Sequence, residues 1–291
     1  MRFGLIVNLR RQGAERAISQ FLEWGEKTGH EIVLCEDLSE VSDDVVSEAV
    51  SMLPRDSLAH GVDVIVSMGG DGTFLASARA AGSVGTPLLG VNLGSLGFLT
   101  QLRPETLEET LNAIVDGDYQ VEERMLLHCR VEGRPKLENP YALNDVVIDN
   151  GPIARLIDIK LWVNGEELVT YRADGLVLAT PTGSTAYSLA VGGPIMQPRL
   201  KAIIAAPISS FSLSTRPIVF SQEDELELKI RSEHGVAGLT LDGQVTVPLI
   251  DTDRVIVSRS DFNLKVITFP HNSFYKVLKE KLHWGKTPTD H

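Results

Sequence analysis

The stretch Ser67-Met68-Gly69-Gly70-Asp71-Gly72-Thr73 sets one acid among three glycines, directly after an apolar run and before a small-residue helical pattern. Glycines let backbone amides approach a phosphate closely, and the start of the following helix adds partial positive charge. An aspartate in such a loop repels phosphate, so its presence makes sense if it binds a cation or takes a proton from a hydroxyl. A tight turn whose acid caps the helix is the plainer account of the same residues. A second turn, Gly90-Val91-Asn92-Leu93-Gly94-Ser95-Leu96-Gly97-Phe98, follows the next apolar run, and two such turns can line one cleft. Glycines that merely pack a strand against a helix are the alternative there. Farther along, Arg172 to Ser188 reads RADGLVLATPTGSTAYS, a buried strand followed by a hydroxyl-rich turn. Any one Ser or Thr suits a helix cap, whereas their density, with Tyr187 as a stacking surface, suits a polar organic ligand. Asn144-Asp145 opens another apolar run, and an amide beside a carboxylate fits a sugar diol and a base edge, or a strand-end turn.

Other chemistries lack their residues. The chain holds neither a GxGxxG dinucleotide fingerprint nor a GxxxxGK[ST] phosphate loop, and no GxSxG elbow for a serine hydrolase. Its seven histidines show no metal-ligand spacing. Cys35 and Cys129 sit in apolar runs and read as small buried hydrophobes.

The elements that must position these residues come in two rhythms. Phe3–Val7, Glu31–Cys35, Val62–Met68 and Pro87–Val91 read as strands. Glu15–Lys27, Asp43–Leu53, Phe74–Ala81 and Glu105–Val115 have helical spacing, the first stopped by Gly29 and the last by Gly117. Alternating strands and helices predict a parallel sheet covered on both faces. After Tyr119 the period becomes two: Ile157, Ile159, Leu161 and Val163 alternate with polar residues before Asn164-Gly165, a type I′ hairpin signal repeated at Asp242-Gly243. One helix is expected over Thr185–Val191, and Phe274, Leu278 and Leu282 give the tail an apolar helical face. The reading is an α/β domain over 1–117 with the GGDGT loop, a β-rich, sandwich-like domain over 118–270, and a helical tail over 271–291 that returns to the first domain.

At 291 residues the chain suffices for two ordinary domains, and 43% apolar with 23% charged residues is globular composition. A net charge of −12 argues against non-specific nucleic-acid binding. No apolar run nears the ~20 residues of a spanning helix. The apolar stretch near Met1 is too short for a secretory signal, so no membrane partner is expected. Two cysteines outside any CxxC fit a reducing cytoplasm.

Gly69–Thr73, Asn92–Leu99 (NLGSLGFL), Leu143–Val147 (LNDVV), Ala173–Pro194 (ADGLVLATPTGSTAYSLAVGGP), Arg216-Pro217 and Asp242-Gly243-Gln244 together resemble the signature of NAD kinases of bacterial type, in family order over nearly the whole chain. The GGDGT turn by itself is shared with lipid kinases and phosphofructokinases. The resemblance implies phosphoryl transfer from ATP, or from polyphosphate, to the 2′-hydroxyl of the adenosine ribose of NAD, with a divalent cation, Mg²⁺ first among them. It implies that Asp71 is the base and that Gly72 helps hold the ligand, with Gly69, Gly70 and Thr73 in the phosphate loop. Asn144 and Asp145 would recognise ribose and adenine. Asp174, Thr185, Ala186, Tyr187, Ser188, Leu189 and Ala190 would bind the dinucleotide, with Arg155, Arg172 and Gln244 as further contacts. It implies a homodimer or homotetramer. It assigns no metal ligands. One departure stands out: where the family has Pro-His ahead of its Ser-x-Arg-Pro segment, this chain has Ser210-Phe211. A lipid kinase and a non-catalytic NAD-binding sensor are the competing readings. The first calls for an exposed apolar or basic membrane-facing surface, and the sequence shows neither a basic cluster nor an amphipathic basic helix. The second leaves Asp71 without a purpose.

Overall fold

A computed structural model of the chain describes residues 1–38, 51–151, 155–233, 235–270 and 273–284. It divides into two compact units, Met1–Glu123 with Leu264–His291, and Arg124–Asn263.

The first unit is built on parallel strands β1 (Arg2–Val7), β2 (Glu31–Cys35), β3 (Ser51–Leu53), β4 (Val64–Gly69) and β5 (Leu88–Asn92), ordered β5-β4-β1-β2-β3. Every residue of β4 and β5 is buried, as a sheet covered on both faces requires. Helices α1 (Ala14–Thr28), α2 (Arg55–Leu58), α3 (Asp71–Ala81) and α4 (Leu107–Val115) connect or flank the strands. The helix α1 buries Ile18, Phe21 and Trp24 and ends at Gly29, whose φ of 71° lets its N–H reach the Gly25 carbonyl. Asp43–Leu53, expected as one helix, is corrected where it is described: Ser51–Leu53 is a strand paired with β2, and 43–50 lies outside the described residues. Three half-exposed residues at a sheet edge carry too short a pattern to separate strand from helix.

The second unit is a sandwich of two sheets. Its strands are β6 (Gln120–Val131), β7 (Tyr141–Ala142), β8 (Asp145–Asp149), β9 (Ile157–Val163), β10 (Glu166–Ala173), β11 (Gly175–Ala179), β12 (Ala202–Ile208), β13 (Ile218–Ser221), β14 (Leu226–Arg231), β15 (Ala237–Leu241), β16 (Val245–Leu249) and β17 (Arg254–Thr268). One sheet runs β10-β9-β14-β17, with β6 beside β17 and β7 beside β6; the other runs β13-β12-β11-β8-β15-β16. Ile159, Leu161 and Leu228 of the first sheet share a core with Val146, Leu176 and Leu239 of the second. Asn164-Gly165 turns with φ of 51° and 83°, and Asp242-Gly243 with 50° and 65°, the two positive values that the type I′ geometry demands. The helix expected over Thr185–Val191 is one turn, α5 (Tyr187–Ala190), preceded by a 3₁₀ turn at Gly183–Thr185.

The chain then returns to the first unit. Val266 of β17 pairs with Leu88 of β5, and Ile267 and Phe269 join the core around Phe3, Phe21 and Trp24. The second unit therefore ends before residue 270, because β17 is one strand shared by both units. The tail helix α6 (Phe274–Leu282) buries Val277 and Leu278, leaves Phe274 and Leu282 half-buried, and is followed by an exposed Trp284. Among the described residues no helix is long and apolar enough to cross a membrane.

Candidate active site

In the first unit, β4 ends at Gly69 and Asp71 is the first residue of α3. Gly70 closes the turn by accepting the Thr73 and Phe74 N–H groups at 3.0 and 3.1 Å. The Asp71 side chain turns back onto the segment after β5. Its Oδ2 accepts the Phe98 N–H at 2.9 Å, and its Oδ1 accepts the Leu99 N–H, the Thr100 N–H and the Thr100 hydroxyl at 3.1–3.2 Å. Gly97 makes room for this: a Cβ there would lie 2.0 Å from Asp71 Oδ1. Asn92 holds the same segment from inside, donating to the Ser95 carbonyl and the Thr100 hydroxyl at 2.8 Å each and accepting the Gly94 N–H at 2.6 Å. A carboxylate offers about four lone-pair positions. Three donors on Oδ1 and one on Oδ2 leave Oδ2 able to accept one more hydroxyl proton. The two glycine turns noted in the sequence are thus fastened together, and the fastener is Asp71.

In the second unit, Asn144 and Asp145 meet the hydroxyl-rich turn directly. Gly183 lies so close that a Cβ would stand 2.0 Å from the Asn144 carbonyl oxygen. The Thr180 hydroxyl donates to the Leu143 carbonyl, and the Ser184 hydroxyl ties Pro181 to Met196. Asp242, from the β15–β16 turn, accepts the Leu143, Asn144 and Asp145 N–H groups at 2.7–3.1 Å and so sets the entrance to β8. Around this point the Asn144 Oδ1, Thr182 Oγ1 and Ser188 Oγ atoms are buried without a hydrogen-bond partner among the described residues. Buried polar atoms are rarely left so, because each costs ~1–3 kcal/mol; a polar ligand would repay them together. Burial pushes the Asp145 carboxyl up to about 7, the Asp242 charge pushes the same way, and a backbone hydrogen bond from Tyr187 partly opposes them.

The expected residues of this unit fall into two groups. Asn144, Asp145, Thr185, Ala186, Tyr187, Ser188, Leu189, Ala190 and Gln244 gather where Asp145 stands opposite Ala179 and where the β15–β16 turn begins. Arg172 and Asp174 lie at the other end of β11, where Gly175 stands opposite Asp149. Four strand steps make that separation roughly 14 Å. There Asp174 donates its N–H to the Ile208 carbonyl and accepts from the Asn150 amide, and Phe211 donates its N–H to the Arg172 carbonyl while its ring lies under the Arg172 guanidinium. Arg155 precedes β9, whose Ile157 pairs with Ala173, and lies 3.9 Å from the exposed Glu233 carboxylate. The departure Ser210-Phe211 therefore belongs to this second group.

Sequence reasoning missed three contributors. Thr182 lay inside a quoted motif but was hidden by its neighbours. Asp242 read as a turn residue, and Thr100 gave no signal, since both act on residues far away in the chain.

With these arrangements in view, the chain has the form of a two-unit nucleotide phosphotransferase, and comparison with known proteins identifies which. Residues 3–119 match the family model of the ATP-NAD kinase N-terminal domain, and residues 143–269 match that of the ATP-NAD kinase C-terminal domain. The NAD kinase of Magnetococcus marinus is 37% identical over 98% of this chain and 94% of its own length; that of Aquifex aeolicus is 42% identical over 77% and 82%. Among solved structures, yeast NADH kinase complexed with NADH superposes with a TM-score of 0.88 at 25% identity, covering 99% of this chain and 89% of that one. An NAD kinase from Archaeoglobus fulgidus in complex with ATP gives 0.76 at 27% identity, covering 97% and 99%. The chain belongs to the NAD kinase family. It is accordingly a kinase, a phosphotransferase with an alcohol group as acceptor, and the lipid-kinase and sensor readings give way.

Proposed function

We propose that the chain transfers the terminal phosphoryl group of ATP, or of a polyphosphate, to the 2′-hydroxyl of the adenosine ribose of NAD, giving NADP. Asp71 takes the hydroxyl proton at Oδ2, the oxygen with a free acceptor position, while its Oδ1 keeps the 97–100 segment in place. Gly69, Gly70, Gly72 and Thr73 present backbone and hydroxyl donors to phosphate at the start of α3. In the second unit Asn144 and Asp145 hold ribose and adenine, and Thr185–Ala190 with Gln244 hold the dinucleotide. The observation that carries this reading is the cluster of three orphaned buried oxygens around Asp145, a site whose polar atoms are complete only with a polar ligand. Positioning and charge neutralisation are the main demands of phosphoryl transfer.

Mg²⁺ is the proposed cation. Among the described residues no group of three His, Cys, Asp or Glu side chains forms a metal cage. A Mg²⁺ ion would need none if phosphate oxygens and water held it, and it would supply neutralisation of phosphate charge. Arg172 and Asp174, ahead of β11, and Arg155, ahead of β9, are the proposed further contacts to parts of the dinucleotide away from the ribose that Asp145 holds. Beside them Phe211 and Leu213 are 72% and 92% exposed, a surface that a second copy would cover, which supports a homodimer or homotetramer. Buried, unpaired Cys35 and Cys129 support a reducing cytoplasm as the place of action.

The test incubates the protein with ATP, Mg²⁺ and NAD and measures NADP with an NADP-specific dehydrogenase. NADP forming in proportion to enzyme is the expected result. Its absence with both ATP and polyphosphate would sink the reading.

A further inference from the structure

In the first unit, the chain leaves β1 through α1 toward β2 on one side, then crosses back to place β4 on the other side of β1. The gap between the carboxyl ends of β1 and β4 is therefore the topological switch point, where open parallel sheets take their ligands. One lip of that gap is Gly69–Asp71. The other is the segment from Asn8 to Gly13, in which the Arg11 N–H donates to the Asn8 carbonyl and the Arg11 carbonyl accepts the Ala14 N–H.

From this second lip Arg11 reaches over both glycine turns. A methyl group built on Gly70 would stand 3.3 Å from Arg11 Nη2, and one built on Gly94 would stand 3.6 Å from Nη1. The guanidinium thus spans the turn after β4 and the turn after β5. Asp71, the acid of the first turn, commits its carboxylate to Phe98, Leu99 and Thr100 instead. Among the described residues no carboxylate lies within ion-pair distance of Arg11. Beyond Gly94 the surface continues into a cleft of about 830 Å³ with Arg16 and Arg103 in its walls, together with Glu105 and Glu280.

We propose that Arg11 is a positioning residue that grips the phosphates of the phosphoryl donor across the two glycine turns, with the cleft beside Gly94 accommodating the rest of the donor. The inference rests on the reading of those turns as phosphate loops. A planar guanidinium offers two parallel N–H groups to one phosphate and holds its orientation, which a lysine cannot do as well. Among the described residues this cation beside the glycine turns has no ion-pair partner, and the negative charge of a phosphate chain would complete it.

The test compares the parent with Arg11→Met and Arg11→Lys in steady-state kinetics with ATP and NAD varied separately, alongside thermal melts. Loss of a charged hydrogen bond to phosphate should raise KM for ATP about ten- to a hundred-fold in Arg11→Met, with KM for NAD within about two-fold and an unchanged melting temperature. Arg11→Lys should recover part of the loss. An unaltered KM for ATP, a rise confined to NAD, or an equal rise for both substrates would overturn the assignment. Calorimetry with inorganic tripolyphosphate separates this inference from the proposed reaction. If the parent makes no NADP, the reaction fails, yet tripolyphosphate binding that disappears in Arg11→Met still upholds Arg11. Equal binding by parent and variant, or none by the parent, overturns it.

Discussion

Asp71 and Asp145 occupy comparable places, each where a buried strand meets a turn, and their surroundings treat them oppositely. Asp71 is met by three backbone N–H groups and a hydroxyl. Asp145 is buried beside the like charge of Asp242, with one backbone donor from Tyr187, and its carboxyl is pushed up to about 7. The donors in the second unit went elsewhere: Asp242 takes the amides that could have served Asp145. One acid is held in working geometry by the fold itself. The other is a site of stored cost, which a ligand with donors of its own would relieve.

The sharpest way to break the contrast is Asp71→Asn. It keeps size but removes charge and basicity, so NADP formation should fall ~10²–10⁴-fold while NAD binding by calorimetry stays within a few-fold. Because an amide nitrogen cannot accept from Phe98 or Thr100, a loss of ~1–3 kcal/mol in melting stability should accompany it. Retained turnover would reduce Asp71 to a clamp on its loop.

Next comes Asp145→Asn, whose sign depends on pH. The carboxyl titrates near 3.8 in the open chain and near 7 when folded, so between those values the folded protein holds the extra proton. Stability therefore falls as pH rises through that window, with no penalty below about pH 4 and the full penalty above about pH 7. The variant should be more stable than the parent at pH 8, by up to ~4 kcal/mol, and equal to it at pH 4. It should also bind NAD more weakly, and parent binding should strengthen from pH 6 to pH 8 as the carboxylate ionises. Equal melting curves at pH 8 would show that Asp145 bears no such cost.

Asp242→Asn tests the neighbour. Removing its charge should shift the midpoint of pH-dependent NAD binding below 7, while weaker hold on the Leu143–Asp145 amides lowers stability by ~1–3 kcal/mol. The smallest effect is expected for Thr100→Val, which removes one of four donors to Asp71. A melt should read a loss of ~0.5–1.5 kcal/mol, with turnover changed only a few-fold.

The elements were legible wherever burial on both faces or a two-residue turn dictates composition. The continuous apolar runs of β4 and β5 and the Asn164-Gly165 turn are of that kind. Strand β3 was not, since three edge residues satisfy either period. Within the site, glycine turns and hydroxyls announce a ligand locally, but their partners are remote: Asp71 acts on residues 27–29 positions away and Asp242 on residues 97–99 away. Arg172 and Asp174 show how chain proximity and spatial position part company. They are near Thr185 in sequence, yet β11 runs straight between them and carries the two groups to opposite ends of its sheet.

The shared strand β17 has a consequence for how the chain is made. A ribosome releases β1–β5 first, then the whole of Arg124–Asn263, and only afterwards the segment that supplies Val266, Ile267 and Phe269 to the first unit. Until then the nascent first unit carries an open sheet edge at β5 and a core lacking two apolar side chains, the condition in which parallel sheets are exposed to aggregation. The second unit, contiguous in sequence, can close on itself before the first is complete. The half that carries the phosphate loops thus emerges first and can be completed only after the other half has been made.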